Sequence, residues 1–376
     1  MTAPERPFLD FYEKHKIIPT SLEITHKQKF FTQRNYLFET LGIPTRFLNS
    51  TRILELGPGT GQKAEHLLSL NPASYTAIDN NPESIKSTQD MIDKSGYSGT
   101  ATVTSADFSE YVDSNRYDLV LAELVVITQH DPLLFLGKLV KLLRPGGVLV
   151  YTCSDSISLL SEILRRAIVN KLELVSDNLR ESADAIANFF RPDLNSLDGM
   201  NRSHTDWAID QIIKPTIGPQ MTIADSLQSF QNEAVFHGSS PRFVEDYRWY
   251  KDPDSSIESL NSVAIENFWA KCHNFIDYRF NYKSLSSEVN QEIYAATNRL
   301  YSTVAEAMWS HDSEQIVTTD CQEIQSLISE NCQETNLSLE SFLKYWRTKN
   351  VLDLEPFRPW WGRGTQYMSV MKRHDS

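Results

Sequence analysis

Residues 51–81 read TRILELGPGTGQKAEHLLSLNPASYTAIDNN, and this stretch decides the fold. Ile53 to Leu56 is a short apolar run, broken by Glu55, that leads straight into Gly57-Pro58-Gly59-Thr60-Gly61. Ala64, Leu67 and Leu68 then recur at helical spacing, and Tyr75 to Ile78 is a second apolar run that ends on Asp79. The pattern is strand, glycine turn, helix, strand, acid. Glycines lack a Cβ and let the backbone pass close to a ligand at the mouth of a parallel sheet. Asp79 follows Gly59 by 20 positions, and a carboxylate at the end of a second strand can accept from both hydroxyls of a ribose. The unit is expected to hold an adenosine-containing cofactor.

The glycine spacing narrows the choice. A dinucleotide fingerprint reads G-x-G-x-x-G, with amides turned toward a pyrophosphate. Here the spacing is G-x-G-x-G with Glu55 two residues ahead; an acid there repels a pyrophosphate and can instead help receive a cationic ligand tail. ELGPGTG resembles the first motif, E-x-G-x-G-x-G, of the class I S-adenosylmethionine-dependent methyltransferases, whose ribose acid also ends the second strand. The resemblance implies S-adenosyl-L-methionine as cofactor, held by Glu55, Gly57, Pro58, Gly59, Gly61, Asp79 and Asn80.

Further features follow in the order of that family. Ala101 to Val103 is a third strand, followed by Asp107-Phe108, where the family holds the adenine by a carboxylate and a stacked ring. Tyr117-Asp118 opens a fourth strand that ends at Glu123, a further expected cofactor contact, and Leu143-Arg144-Pro145-Gly146-Gly147 precedes a fifth strand, Val148 to Tyr151. Read by itself, Asp107 serves equally as a helix cap. The expected fold is an α/β, Rossmann-like sheet of seven strands with a large, mainly helical insertion after the fifth.

Composition sets the outer bounds. A chain of 376 residues with 40% hydrophobic content suits one large or two smaller domains. No run approaches the roughly 18 apolar residues of a membrane span, and Met1 to Lys14 lacks the features of a signal peptide, so a cytoplasmic location is expected. Cys153, Cys272, Cys321 and Cys332 show no C-x-x-C spacing, and no metal site is expected. With 36 Lys and Arg against 49 Asp and Glu, the formal charge of −13 opposes nucleic acid and anionic membranes. The expected partners are a small-molecule substrate and, in self-association, a second copy in a homodimer.

Residues 1–50 form an N-terminal helical segment in this reading. In the aromatic stretch from His26 to Phe38, Phe30, Arg34, Leu37 and Phe38 can share one helical face and pack across the sheet. The resemblance instead implies that Tyr36 or Arg34 covers the methionine end of the cofactor. Past the fifth strand, helix-spaced apolar positions recur in Leu159 to Leu172, Asn178 to Phe190, Asp206 to Ile213, Ile257 to Phe280 and Ser286 to Trp309. A helix from Ser338 to Lys349, a strand from Val351 to Phe357 and a closing strand from Gln366 to Lys372 complete the core. The expected domains are a cofactor-binding core of 51–153 and 336–376 and a helical cap of 154–335.

Candidate proton acceptors lie at the carboxyl end of the fourth strand and in the cap. His130 and Asp131, in ELVVITQHD, suit a base and its orienting partner; equally, Asp131 with Pro132 suits the start of a helix. His204 lies in a His-Thr-Asp-Trp cluster. His237 lies in the Gly- and Pro-broken stretch from Glu233 to Phe243, followed by Tyr247, Trp249 and Tyr250, which suits a loop gripping a polar ligand or pinning the cap. FFTQRNYLF, GSSPRF and PWWGRGTQYM are similar to segments of methyltransferases with a helical insertion among bacterial surface-glycan and secondary-metabolite enzymes, which implies a sugar or metabolite hydroxyl as acceptor. Amine or protein acceptors, and a protein that uses the sulfonium without methyl transfer, keep the same glycine and acid set.

Overall fold

Strands β1 (Arg52–Leu56), β2 (Ser74–Asp79), β3 (Ala101–Ser105), β4 (Tyr117–Ala122), β5 (Leu143–Cys153), β6 (Ala234–Ser240) and β7 (Gln366–Lys372) form one sheet in the order β3-β2-β1-β4-β5-β7-β6. The computed structural model describes residues 11, 14–15, 27–97, 99–197, 200, 202–215, 220–231, 233–249, 251, 258–305 and 309–374. His26, Tyr250 and Ile257 lie outside the described residues. The helices are α1 (Lys27–Thr40), α2 (Gln62–Leu68), α3 (Pro82–Ser95), α4 (Pro132–Leu142), α5 (Leu160–Lys171), α6 (Leu179–Phe189), α7 (Arg191–Asn195), α8 (His204–Trp207), α9 (Ile223–Ser229), α10 (Glu258–Lys271), α11 (Ser287–Ala305), α12 (His311–Ile328) and α13 (Gln333–Thr348).

β1 to β5 pair in parallel and β7 runs antiparallel to both β5 and β6. The parallel strands read as nearly unbroken apolar runs because both faces are covered: Ile53, Leu54, Leu56, Leu119, Val120 and Leu121 are all buried. One face carries Ile53, Tyr75, Leu119, Leu121 and Val150 against Phe38 of α1, Leu67 and Leu68 of α2 and Ile92 of α3. Each such side chain contributes roughly 1.5–3 kcal/mol on burial. Local signals set the helix ends. Asn81 accepts from the Glu83 N–H with Pro82 at the first position of α3, and Gly96 ends that helix at φ +79°. The strand order reverses between β1 and β4, which opens a crevice outside their carboxyl ends.

The chain forms two compact units. One contains the sheet and comprises Tyr12–Cys153, Met221–Phe268 and Gln366–Ser376. The other contains Ser154–Gln220 and Trp269–Thr365, and its described regular structure is helical. At its centre the fully buried Arg165 reaches Asp193 (Nε to Oδ1, 3.2 Å) and the carbonyls of Ser161, Arg358 and Trp360, with its guanidinium 3.7 Å from the Trp361 ring centroid. Arg358 Nη1 meets the other oxygen of Asp193 at 2.7 Å.

These units differ from the expected division in two places. The segment Met221–Phe268 goes with the sheet and supplies its edge strand, whereas 336–365 goes with the helical unit. The expected strand from Val351 to Phe357 is a 3₁₀ turn, Val351–Leu354, begun by the Asn350 side chain accepting from the Leu352 N–H at 3.2 Å. The strand beside β7 is instead Ala234–Ser240, within the stretch read as a ligand-gripping loop. Gly238 suggested a loop break, but it marks a close approach: a Cβ there would sit 2.6 Å from the carbonyl carbon of Leu41. The helix expected from Ile257 to Phe280 stops at Lys271, and the one from Asp206 to Ile213 is α8 followed by a π turn, Ala208–Ile213.

Candidate cofactor site

The loop from β1 to α2 is built on left-handed glycines. Gly57, Gly59 and Gly61 have φ of +69°, +62° and +83°. The Gly57 N–H donates to the Ile78 carbonyl at 2.9 Å, which ties the loop to the end of β2. A Cβ on Gly57 would lie 2.8 Å from Val125 Cγ2, and one on Gly61 3.0 Å from Thr88 Cα. At Gly59 a Cβ would meet nothing within 4 Å. Packing thus requires two of the glycines, while the third faces open space at the mouth of the sheet. Pro58 lies between them, buried.

Asp79 closes β2 beside this loop and is 7% exposed. Burial pushes its carboxyl above the ordinary value, against the N–H of Asn81 that its Oδ1 accepts at 2.9 Å. Asn80 is half-buried. The half-buried Asp107 accepts from the N–H and hydroxyl of Ser109 at 2.8 and 2.6 Å. Phe108 lies next to the loop, its Cζ 3.9 Å from where a Gly57 Cβ would stand.

Behind the loop lies a buried charge cluster. Arg34 of α1 holds Glu123 by two prongs, Nη1 to Oε2 at 3.0 Å and Nη2 to Oε1. Lys63 of α2 stands 3.5 Å from Glu123 and 3.8 Å from Glu55. Burial disfavours the charge on Glu123, but Arg34 and Lys63 outweigh it and bring the carboxyl down to about 2. Glu55 has the reverse balance: burial raises its carboxyl, with Lys63 and the Tyr75 hydroxyl, which donates to Oε2 at 2.6 Å, opposing. Burial also works against the Lys63 ammonium, yet Glu123 and Glu55 carry it above the usual lysine range. Lys63 escaped the sequence reading, although a cation in the first turn of a helix opposes the macrodipole and so signals an acidic neighbour.

Glu55, expected to receive a cationic tail, meets Tyr75 and Lys63 on the face of the sheet that α1 and α2 cover. Tyr36 is 71% exposed while Arg34 is buried; two helical residues rotate by about 200°, so the two side chains leave opposite sides of α1. Asp131 does not orient His130, because its Oδ1 caps α4 by accepting from the Leu134 N–H at 2.9 Å. His130 is exposed on the loop between β4 and α4. His237 is not in a ligand loop: it lies on β6 with Nε2 2.9 Å from the Gly42 carbonyl oxygen. His204 begins α8 in the helical unit, where Ser203 is the cap.

Leu124, one residue past Glu123, has φ +62°, a conformation that costs a non-glycine residue roughly 1–3 kcal/mol. Its N–H donates to Thr152 Oγ1 at 2.8 Å.

A mostly parallel sheet with this strand order, a left-handed glycine loop after β1 and an acid at the end of β2 make a Rossmann-like fold of the class I methyltransferase type. Residues 48–204 match the family model described as a methyltransferase domain. A phthiotriol/phenolphthiotriol dimycocerosates methyltransferase of Mycobacterium leprae is 37% identical over 106 residues, which span 28% of this chain and 38% of that protein. Among solved structures, the N-methyltransferase NodS from Bradyrhizobium japonicum WM9, in complex with S-adenosyl-L-homocysteine, is 17% identical with a TM-score of 0.32, over 40% of this chain and 75% of that one. The [4+2]-cyclase SpnF is 12% identical with a TM-score of 0.39, over 92% of this chain and 82% of that one. Among the described residues no helix is long and apolar enough to cross a membrane.

Proposed function

We propose that the chain transfers a methyl group from S-adenosyl-L-methionine to a small-molecule acceptor, with a hydroxyl of a sugar or secondary metabolite as the favoured group. The observation that carries the reading is the open space over Gly59, in the loop that Gly57 ties to the end of β2 where Asp79 is buried. When bound, the cofactor supplies a methyl group on a positively charged sulfur.

In this reading the backbone of Gly57 to Gly61 passes along the nucleoside, Asp79 accepts from the ribose hydroxyls, and Asp107 and Phe108 receive the adenine. Arg34 and Lys63 alternate with Glu123 and Glu55, an array of both signs that suits the carboxylate and ammonium of an amino-acid tail. These residues bind and orient; holding the acceptor in line and excluding water provides most of the rate. His130, exposed past the end of β4, takes the hydroxyl proton. The mycobacterial relative supports a hydroxyl acceptor, since its name specifies a triol.

The test is a screen with methyl-labelled cofactor against sugar, metabolite and amine acceptors, scored by label transfer and by release of S-adenosylhomocysteine. Label in a hydroxyl product supports the reading. Label only in amine products overturns the hydroxyl assignment, and binding of cofactor without labelled product overturns methyl transfer.

A further inference from the structure

Leu124 adopts a left-handed backbone that a side chain of its size rarely occupies, and that glycine or asparagine would hold with less strain. The turn has two local results, the Leu124 N–H to Thr152 bond and the placing of Val125 against Gly57. The first uses only the backbone of Leu124 and the second uses its neighbour, so neither needs the leucine side chain. That side chain is 38% exposed, directly after Glu123 and directly before the residue that packs on the glycine loop. It therefore stands at the mouth of the sheet. Leu133 and Leu134, in the first turn of the helix that leaves the same loop, are also exposed, at 37% and 61%. Between positions 124 and 134 the chain thus presents three large apolar side chains beyond the carboxyl end of β4.

We infer that Leu124 contacts the methyl acceptor, and that the acceptor presents an apolar surface, alkyl or aryl, next to the group that is methylated. The inference rests on the methyltransferase reading above. It gives the leucine at this strained position a role that neither local result of the turn requires.

Calorimetric titration of the chain with S-adenosylhomocysteine, and then of both the loaded and the cofactor-free chain with 4-alkylphenols from methyl to octyl, tests it. The wild type binds with an affinity that rises with chain length. Leu124→Asn binds the octyl member about tenfold more weakly, the loss expected for one leucine contact. Its affinity for S-adenosylhomocysteine is unchanged and its melting temperature is no lower than that of the wild type. Val112→Asn, which removes an apolar residue 89% exposed elsewhere in the unit, leaves the alkylphenol affinity unchanged. The inference is overturned by absence of alkylphenol binding to the wild type, by equal affinity in Leu124→Asn, by an equal loss in Val112→Asn, or by a lower melting temperature in Leu124→Asn. Failure of S-adenosylhomocysteine itself to bind counts against the cofactor reading alone, because the cofactor-free titrations still report the leucine contact.

Discussion

Arg34 and Glu123 lie 89 positions apart in the chain, and the two-pronged pair between them is buried. It fixes α1 to the end of β4, so the N-terminal helix and the sheet share one electrostatic element. Removing one partner of such a pair leaves a buried charge uncompensated. Glu123→Gln should therefore lose roughly 3–5 kcal/mol in urea denaturation. The double variant Arg34→Met/Glu123→Gln should lose less than Arg34→Met and Glu123→Gln together. Additive losses would show that the pair is not coupled.

The glycine loop allows a contrast between two substitutions of the same kind. Gly61→Ala brings a Cβ to 3.0 Å from Thr88 Cα in a left-handed backbone, and should lower the melting temperature markedly. Gly59→Ala meets nothing within 4 Å and should cost only the backbone strain of about 1–2 kcal/mol. Its larger effect should be on binding of S-adenosylhomocysteine, because the new methyl group enters the space assigned to the ligand. Equal affinity for the alanine variant and the wild type would remove Gly59 from the site.

His66 supplies the pH prediction. It is 1% exposed, its Nε2 lies 2.7 Å from Asn35 Oδ1, and Phe31 and Phe38 flank its ring. Burial, reinforced by Arg34, lowers its pKa to about 4. The folded state therefore prefers the neutral ring. Its contribution is complete above about pH 6.5 and is lost as the pH falls toward 4, by roughly 3 kcal/mol. His66→Gln should flatten the stability profile between those values. A variant that retains the full wild-type slope would assign the acid sensitivity to other groups.

In the helical unit, Asp193 compensates two arginines at once, Arg165 and Arg358. Asp193→Ala leaves both cations buried, and should cost roughly 3–5 kcal/mol in denaturation followed by a probe in that unit. Arg165→Met should cost less, since it leaves Arg358 beside Asp193. The reverse order would mean that the aromatic contacts of Arg165, rather than its charge, hold the unit.

What the sequence made legible follows from how local each signal is. The glycine loop, Asp79 and the closing strand Gln366–Lys372 were all readable, because strand, turn and acid are contiguous or nearly so. β6 was missed because Gly238 and the neighbouring Pro241 imitate a loop. In the structure the glycine admits the backbone of Leu41, and the strand carries a register shift between Phe236 and Gly238. The charge cluster was out of reach for another reason: Arg34, Lys63 and Glu123 converge only once α1 and α2 pack on the same face of the sheet. Helical phase separates the exposed Tyr36 from the buried Arg34, and the face that Arg34 shares with Leu37 and Phe38 is the one packed on the sheet. At Asp131 the two readings, cap and catalytic partner, were both open, and the hydrogen bond to Leu134 identifies the cap.

The most direct test of the account is calorimetric titration with S-adenosylhomocysteine of the wild-type chain and of Asp79→Ala, with NAD as the control ligand. The account predicts micromolar binding of S-adenosylhomocysteine by the wild type, at least about tenfold weaker binding by Asp79→Ala through loss of a buried charge-assisted pair, and no binding of NAD by either. Equal affinity in the two proteins, or binding of NAD in place of S-adenosylhomocysteine, would contradict it.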